Sequence, residues 1–116
     1  LRVVADQRGC PTFAEDLAGM IGKLVQHPAQ GILHVTNEGR CTWHEFATEI
    51  VRLAGYRVPV EPITTADMPT PAKRPAYSVL SAERLHQLGF TMPSWQDGLQ
   101  RFMHALSATS PLPSRA

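Results

Sequence analysis

The apolar positions of this chain change period several times, and each change marks an element. Residues 2–5 (RVVA) form a short β-branched run, which predicts a strand. Residues 6–11 (DQRGCP) break it with Gly9 and Pro11. From Thr12 onward Phe13, Leu17, Met20, Ile21, Leu24 and Val25 recur at helical spacing, and Pro28 and Gly31 end that helix near His27. Thr12 and Glu15 have the spacing of a capping box, in which hydroxyl and carboxylate satisfy free N–H groups at the helix start. Residues 31–36 (GILHVT) are nearly continuously apolar and β-branched, the pattern of a strand buried on both faces. A turn (NEGR) follows at 37–40. A second capping box, Thr42 with Glu45, then opens a helix whose apolar stripe is Trp43, Phe46, Ala47, Ile50, Val51 and Ala54. Gly55 stands where a left-handed C-terminal glycine belongs.

Residues 58–64 (VPVEPIT) are extended, but Pro59 and Pro62 restrict them to an edge or irregular strand. The stretch 69–80, PTPAKRPAYSVL, has prolines at 69, 71 and 75, so it joins neither a helix interior nor a central strand. Lys73 and Arg74 ride on this stiff segment, and the residue before each proline is pushed to extended geometry. A short helix is expected over 81–88, stopping at Gly89. A last one starts at Ser94, with Asp97 at the capping position and Trp95, Leu99, Phe102, Met103 and Leu106 along one face. Residues 107–116 (SATSPLPSRA) lack periodicity and are expected to be a disordered tail after a folded portion at 1–106. The order is α/β, with few strands and about four helices. Two or three strands are too few for a doubly wound sheet. The chain opens without a methionine, directly into an apolar run, so it is expected to be a fragment of a larger domain.

Composition narrows the function classes. A formal net charge of +1 and no basic run argue against nucleic acid. No apolar stretch is long enough to span a bilayer and no signal-peptide pattern opens the chain, which excludes a membrane role and leaves a cytoplasmic protein as the expectation. The two cysteines, Cys10 and Cys41, lack metal or redox-motif spacing and read as reduced thiols, with a disulfide as the alternative.

Candidate chemistry is sparse. There is no GxGxxG, no Walker loop, no HExxH and no Tyr-x-x-x-Lys. The five histidines have no ligand spacing. Cys10 lies in a Gly-Pro loop near a helix start, but no histidine is placed to activate it. What stands out is a pair of proline-stiffened loops, DQRGCPT and PTPAKRPAYS. In the second, Arg74 offers a rigid guanidinium fork of the kind that grips phosphate. The structural alternative is that Arg74 pairs with a nearby carboxylate such as Asp67 and merely pins the loop.

These loops and the helices after them resemble the C-terminal part of dTDP-4-dehydrorhamnose reductases, members of the extended short-chain dehydrogenase/reductase superfamily. The matching pieces are VVADQRGCPTFAEDLA (3–18), GILHVTNEG (31–39), TWHEFA (42–47), PTPAKRPAYSVLS (69–81), LGF (88–90) and PSWQDGL (93–99). PTPA-x-RP-x-x-S-x-L is the most diagnostic.

The resemblance implies a Rossmann-like parent fold. Its nicotinamide cofactor, NADPH or NADH, and its catalytic Thr and Tyr-x-x-x-Lys would lie in an N-terminal half outside this sequence. A magnesium ion is allowed for in the parent, and none of these groups is expected on this portion. The family reduces the 4-keto group of a dTDP-linked deoxysugar to give dTDP-L-rhamnose. The implied substrate-binding residues are Arg74, facing the pyrophosphate, with Gln7, Thr12 and Tyr77. The DQRGCPT loop would wall the sugar, and residues 31–36 would be a strand of the parent sheet. Cys10 stands where relatives often carry a small residue, and Tyr77 where many carry Asn. The partner expected is a dTDP-sugar. The portion alone is expected to be inactive and to self-associate, and its parent to be a homodimer. The competing readings are a non-catalytic regulatory or partner-binding subunit of the same lineage and a related nucleotide-sugar epimerase or dehydratase.

Overall fold

The computed structural model describes residues 1–109. Strand β1 (Arg2–Val4) leads to a two-residue strand β2 (Arg8–Gly9) and helix α1 (Ala14–Val25). Strand β3 (Cys41–Thr42) runs directly into α2 (Trp43–Ala54). Strand β4 (Glu61–Ile63), a 3₁₀ turn at Thr65–Asp67, α3 (Glu83–Gln87) and α4 (Trp95–Thr109) complete the order. The α/β character and four helices agree with the sequence pattern. β1 pairs in parallel with β4, Val3 opposite Pro62, and β2 pairs antiparallel with β3, Gly9 opposite Cys41. No helix among the described residues is long and apolar enough to cross a membrane.

The apolar faces meet in two clusters. In one, Cys41, Ala54, Trp95, Leu99 and Met103 join α2 to α4, with Phe46 edge-on to Trp95 at 6.1 Å. In the other, Met20 of α1 packs on Leu85 of α3 and on Met92, with Leu33 and Val35 against them.

Four expectations need correction. Residues 31–36 join no ladder among the described residues. They are buried on one face only: Leu33 and Val35 turn inward, while Ile32 is 81% exposed. No strand among the described residues lies beside them, and the Arg84 guanidinium takes the carbonyls of Gln30 and Ile32 instead. The first capping box does not form. Phe13 occupies the cap, and Thr12 Oγ1 turns away to accept from Asn37 N at 3.2 Å and donate to the Cys10 carbonyl at 3.3 Å. Trp43, counted in the apolar stripe of α2, is 57% exposed. Finally, α4 continues through Ser107–Thr109, whose hydroxyls donate back to the carbonyls of Met103 and Ala105 at 3.0 Å each. The rest of the expected tail, 110–116, lies outside the described residues.

Other ends follow the sequence. Thr42 Oγ1 accepts from Glu45 N at 3.0 Å, Ser94 Oγ accepts from Asp97 N at 3.2 Å, and Gly55 closes α2 at φ 75°.

Asn37, 1% exposed, replaces the missing cap and does more. Its Oδ1 accepts from Phe13 N at 2.6 Å, capping α1 from outside. Its Nδ2 donates to Asp16 at 2.9 Å and to the Pro93 carbonyl at 3.1 Å. Asp16 also receives both terminal nitrogens of Arg101 from α4, at 2.8 and 2.6 Å. Those bonds hold the Asp16 carboxyl below its usual value, Arg101 first and Asn37 adding to it.

Two outcomes follow. Asn37→Ala strands the Phe13 N–H and leaves the Pro93 carbonyl only its bond from Glu38 N, and chemical denaturation should show a loss of about 1–3 kcal/mol. An unchanged midpoint would remove Asn37 from this role. Asp16 has a depressed folded-state pKa, so its contribution is complete above the unfolded value near 3.9 and is lost as pH falls through the folded value. Because the Arg101 side chain is 40% exposed, screening holds the ion-pair share to about 1 kcal/mol. Asp16→Asn should lower stability at pH 7 and flatten the acid limb of a melting-temperature profile.

Candidate functional site

The site begins where the chain leaves β1. Asp6 accepts from Thr65 N at 3.0 Å and from its hydroxyl at 2.6 Å, tying the first proline-stiffened loop to the turn after β4. The Thr65 bonds, hydroxyl first, lower the Asp6 pKa. Gln7 Nε2 donates to the same hydroxyl at 3.1 Å. One residue on, the second loop attaches: Arg8 N donates to the Ala76 carbonyl at 2.8 Å, and Ser78 N donates to the Arg8 carbonyl at 2.9 Å. These bonds make a short parallel bridge between Arg8 and Tyr77, beside the β2–β3 pair. A Cβ at Gly9 would come within 3.2 Å of Ser78 Oγ, so the glycine permits the close approach of the two loops.

Between the loops and the start of α2 lies a cavity of about 420 Å³. Gln7, Arg8, Ser78 and Arg74 bring polar groups to its wall; Trp43, Phe46, Cys10 and Pro11 bring apolar ones. No Asp or Glu lines it. Its chemistry is that of a receptor for an anion carrying a less polar body.

Arg74 is exposed and makes no ion pair among the described residues. Asp67, its candidate structural partner, is engaged elsewhere: its carboxylate accepts from the N–H and hydroxyl of Thr64, both at 2.9 Å. Of the four candidates, Arg74 and Gln7 line this cavity. Thr12 faces Asn37, and Tyr77 accepts from Arg40 at 3.2 Å beside a separate concavity that includes Glu38 and His86. The sequence reading passed over Arg8 and Trp43 as site residues. Arg8 was within reach, as a cation inside one of the two singled-out loops. Trp43 was not, because helical spacing alone puts it in the core stripe.

The cysteines are free and neutral. Cys10 Sγ donates to the Asn37 carbonyl at 2.7 Å, and burial raises its pKa. Burial, with Glu45 nearby, pushes Cys41 up to about 11. Neither thiol is activated as a nucleophile. No cluster of three or more metal-ligating side chains occurs among the described residues.

The chain matches the RmlD substrate binding domain over residues 1–108. It is 41% identical to the spore coat polysaccharide biosynthesis protein SpsK of Bacillus subtilis, over 93% of this chain and 38% of that protein. A probable dTDP-4,6-dihydroxy-2-methyloxan-3-one 4-ketoreductase of Streptomyces antibioticus is also 41% identical, over 97% of this chain and 39% of its own length. Among solved structures, the dTDP-4-dehydrorhamnose reductase of Bacillus anthracis in complex with NADP superposes with a TM-score of 0.87 at 43% identity, over 90% of this chain and 38% of that one. The chain thus spans about two fifths of the length of the relatives it matches. The ordered loops, the α/β frame and the near-complete match together establish that the chain belongs to the RmlD substrate-binding-domain family.

Proposed function

We propose that this chain is the substrate-binding part of an NAD(P)H-dependent dTDP-4-dehydrorhamnose reductase, which reduces a 4-keto group to give dTDP-L-rhamnose. The observation that carries the reading is the exposed Arg74 on the wall of a cavity without carboxylates, on a segment stiffened by proline and hydrogen-bonded to β2. A guanidinium so held loses little entropy on binding and offers phosphate two donors in a fixed fork. The apolar wall of Trp43, Phe46 and Pro11 suits the rest of a nucleotide-sugar.

The residues present do not fit a dinucleotide. The helices start after Phe13, Thr42, Ala82 and the Ser94 turn, and the sequence has no GxGxxG that could bring backbone N–H groups to a cofactor pyrophosphate. Hydride transfer is therefore assigned to residues outside this chain. What the chain itself does is bind and orient the sugar nucleotide. A 4-ketoreductase acting on another dTDP-linked sugar is the second reading, favoured by the 41% identity to the Streptomyces protein. Turnover of the two keto sugars by the full-length enzyme separates them.

Arg74→Ala in the full-length enzyme should raise KM for the dTDP-sugar, a loss of about 1.5–3 kcal/mol, with little change in melting temperature. Arg74→Lys should restore part of the binding, because it keeps the charge without the fork. Wild-type kinetics of the folded Arg74→Ala enzyme would remove the assignment. The 116-residue chain alone, given a dTDP-4-keto sugar and NADPH, should oxidise no cofactor above blank. Measurable turnover would show that the chemistry resides here.

A further inference from the structure

We propose that Arg8 is a second phosphate-gripping guanidinium of the same cavity, and that Glu45 competes with the ligand for it. The inference rests on the cavity being a sugar-nucleotide site. It assigns the two phosphates of the diphosphate to two arginines from different loops.

Three observations support it. First, among the described residues Arg8 and Arg74 are the two charged residues lining the cavity, and no carboxylate lines it with them. A single phosphate ester needs one guanidinium fork, whereas a diphosphate bridge carries two negative phosphoryl groups and is matched by two. Second, the backbone at residue 8 is fixed on both edges. It bonds to Ala76 and Ser78 on one side and pairs with Thr42 on the other. The side chain therefore starts from an anchored point, while remaining 48% exposed.

Third, its pairing is loose. Arg8 Nη1 lies 3.7 Å from Glu45 Oε1, beyond hydrogen-bond length, and both side chains are 48% exposed. The contrast is with Arg101, which donates at 2.8 and 2.6 Å to one carboxylate and at 2.9 Å to another. An exposed pair of that kind contributes little, so a phosphate displaces it at small cost. Glu45 sits in the first turn of α2, whose N-terminus begins at the cavity wall with Thr42 and Trp43. The carboxylate holds Arg8 near the cavity without filling it.

The test is calorimetric titration of the full-length protein with dTDP and with dTMP. Arg8→Ala should weaken dTDP about tenfold, the scale of one charge-assisted hydrogen bond, and leave dTMP within about twofold. Glu45→Gln should tighten dTDP by a few-fold, since the competitor is gone. Wild-type dTDP affinity in Arg8→Ala, with Arg74→Ala still weakened, overturns this proposal and leaves the substrate reading standing. Equal weakening of dTDP and dTMP overturns the assignment of Arg8 to the phosphate that dTMP lacks. If dTDP binds neither wild type nor variants, the substrate reading itself falls. Should Arg8→Ala fail to fold, Arg8→Gln and Glu45→Gln carry the test. Unchanged dTDP affinity in a folded Glu45→Gln protein overturns the competition.

Discussion

The fold depends on one buried amide. Asn37 is the point at which four separate segments are held together: the loop after β2, helix α1, the chain before α4, and α4 itself through Asp16 and Arg101. A buried Asn in this position must be fully paired, because each unpaired donor or acceptor would cost more than a surface hydrogen bond returns. Both its side-chain ends are used, and its own backbone carbonyl accepts from Cys10 Sγ and Thr36 Oγ1. No hydrophobic contact has that directionality. The two apolar clusters supply the bulk attraction, but they would permit α1 and α4 to slide; the Asn37 network fixes their register.

That constraint reaches the site. Cys10, Pro11 and the start of α1 stand where Asn37 places them, and the cavity wall is their other side. The second loop reaches the wall differently. Its prolines remove N–H donors and rule out regular structure, yet two of its remaining backbone groups, at Ala76 and Ser78, close on Arg8. One loop is fixed by a buried side chain, the other by an edge ladder. The space between them is bounded on both sides by backbone that gives little, which suits a pocket that must distinguish ligands by shape.

Much of this was legible in the chain, and the misses have physical causes. Local signals worked where the deciding contact is local: Thr42 before α2, Gly55 after it, Ser94 at α4. They failed where a distant group outbids the neighbour. Thr12 and Glu15 have capping-box spacing, but Asn37, 24 residues from Phe13, supplies the cap. Residues 31–36 have the composition of a doubly buried strand, but composition does not supply the neighbouring strands. Trp43 lies on the apolar side of α2 by count and on a cavity by position, and the 3.6-residue period does not separate these two apolar surroundings. For the cavity, three prolines mark the loop of Arg74, which lines its wall. Arg8 is legible as a cation in the other stiffened loop, but nothing in DQRGCPT shows that it stands beside PTPAKRPAYS on the same cavity.

Several of the described arginines differ in what holds their guanidinium. Arg101 saturates its fork on Asp16 and Asp97, Arg84 caps two carbonyls, and Arg52 closes on Glu49 within one helix turn. Their forks are already engaged, and a ligand would have to break those bonds before gaining any. Among the described residues Arg74 has no such bond, and Arg8 has one distant carboxylate. Both line one cavity, and no Asp or Glu among the described residues lines it with them. In the function proposed above, the donors left unused on the stiff loop of Arg74 are those that a ligand's phosphates would recover. Arg74 sits on an irregular segment, and Arg8 on a two-residue strand whose partners hold its backbone and leave its side chain half exposed. On its proline-stiffened loop Arg74 has no helical neighbour one turn away to take its fork, as Glu49 takes that of Arg52.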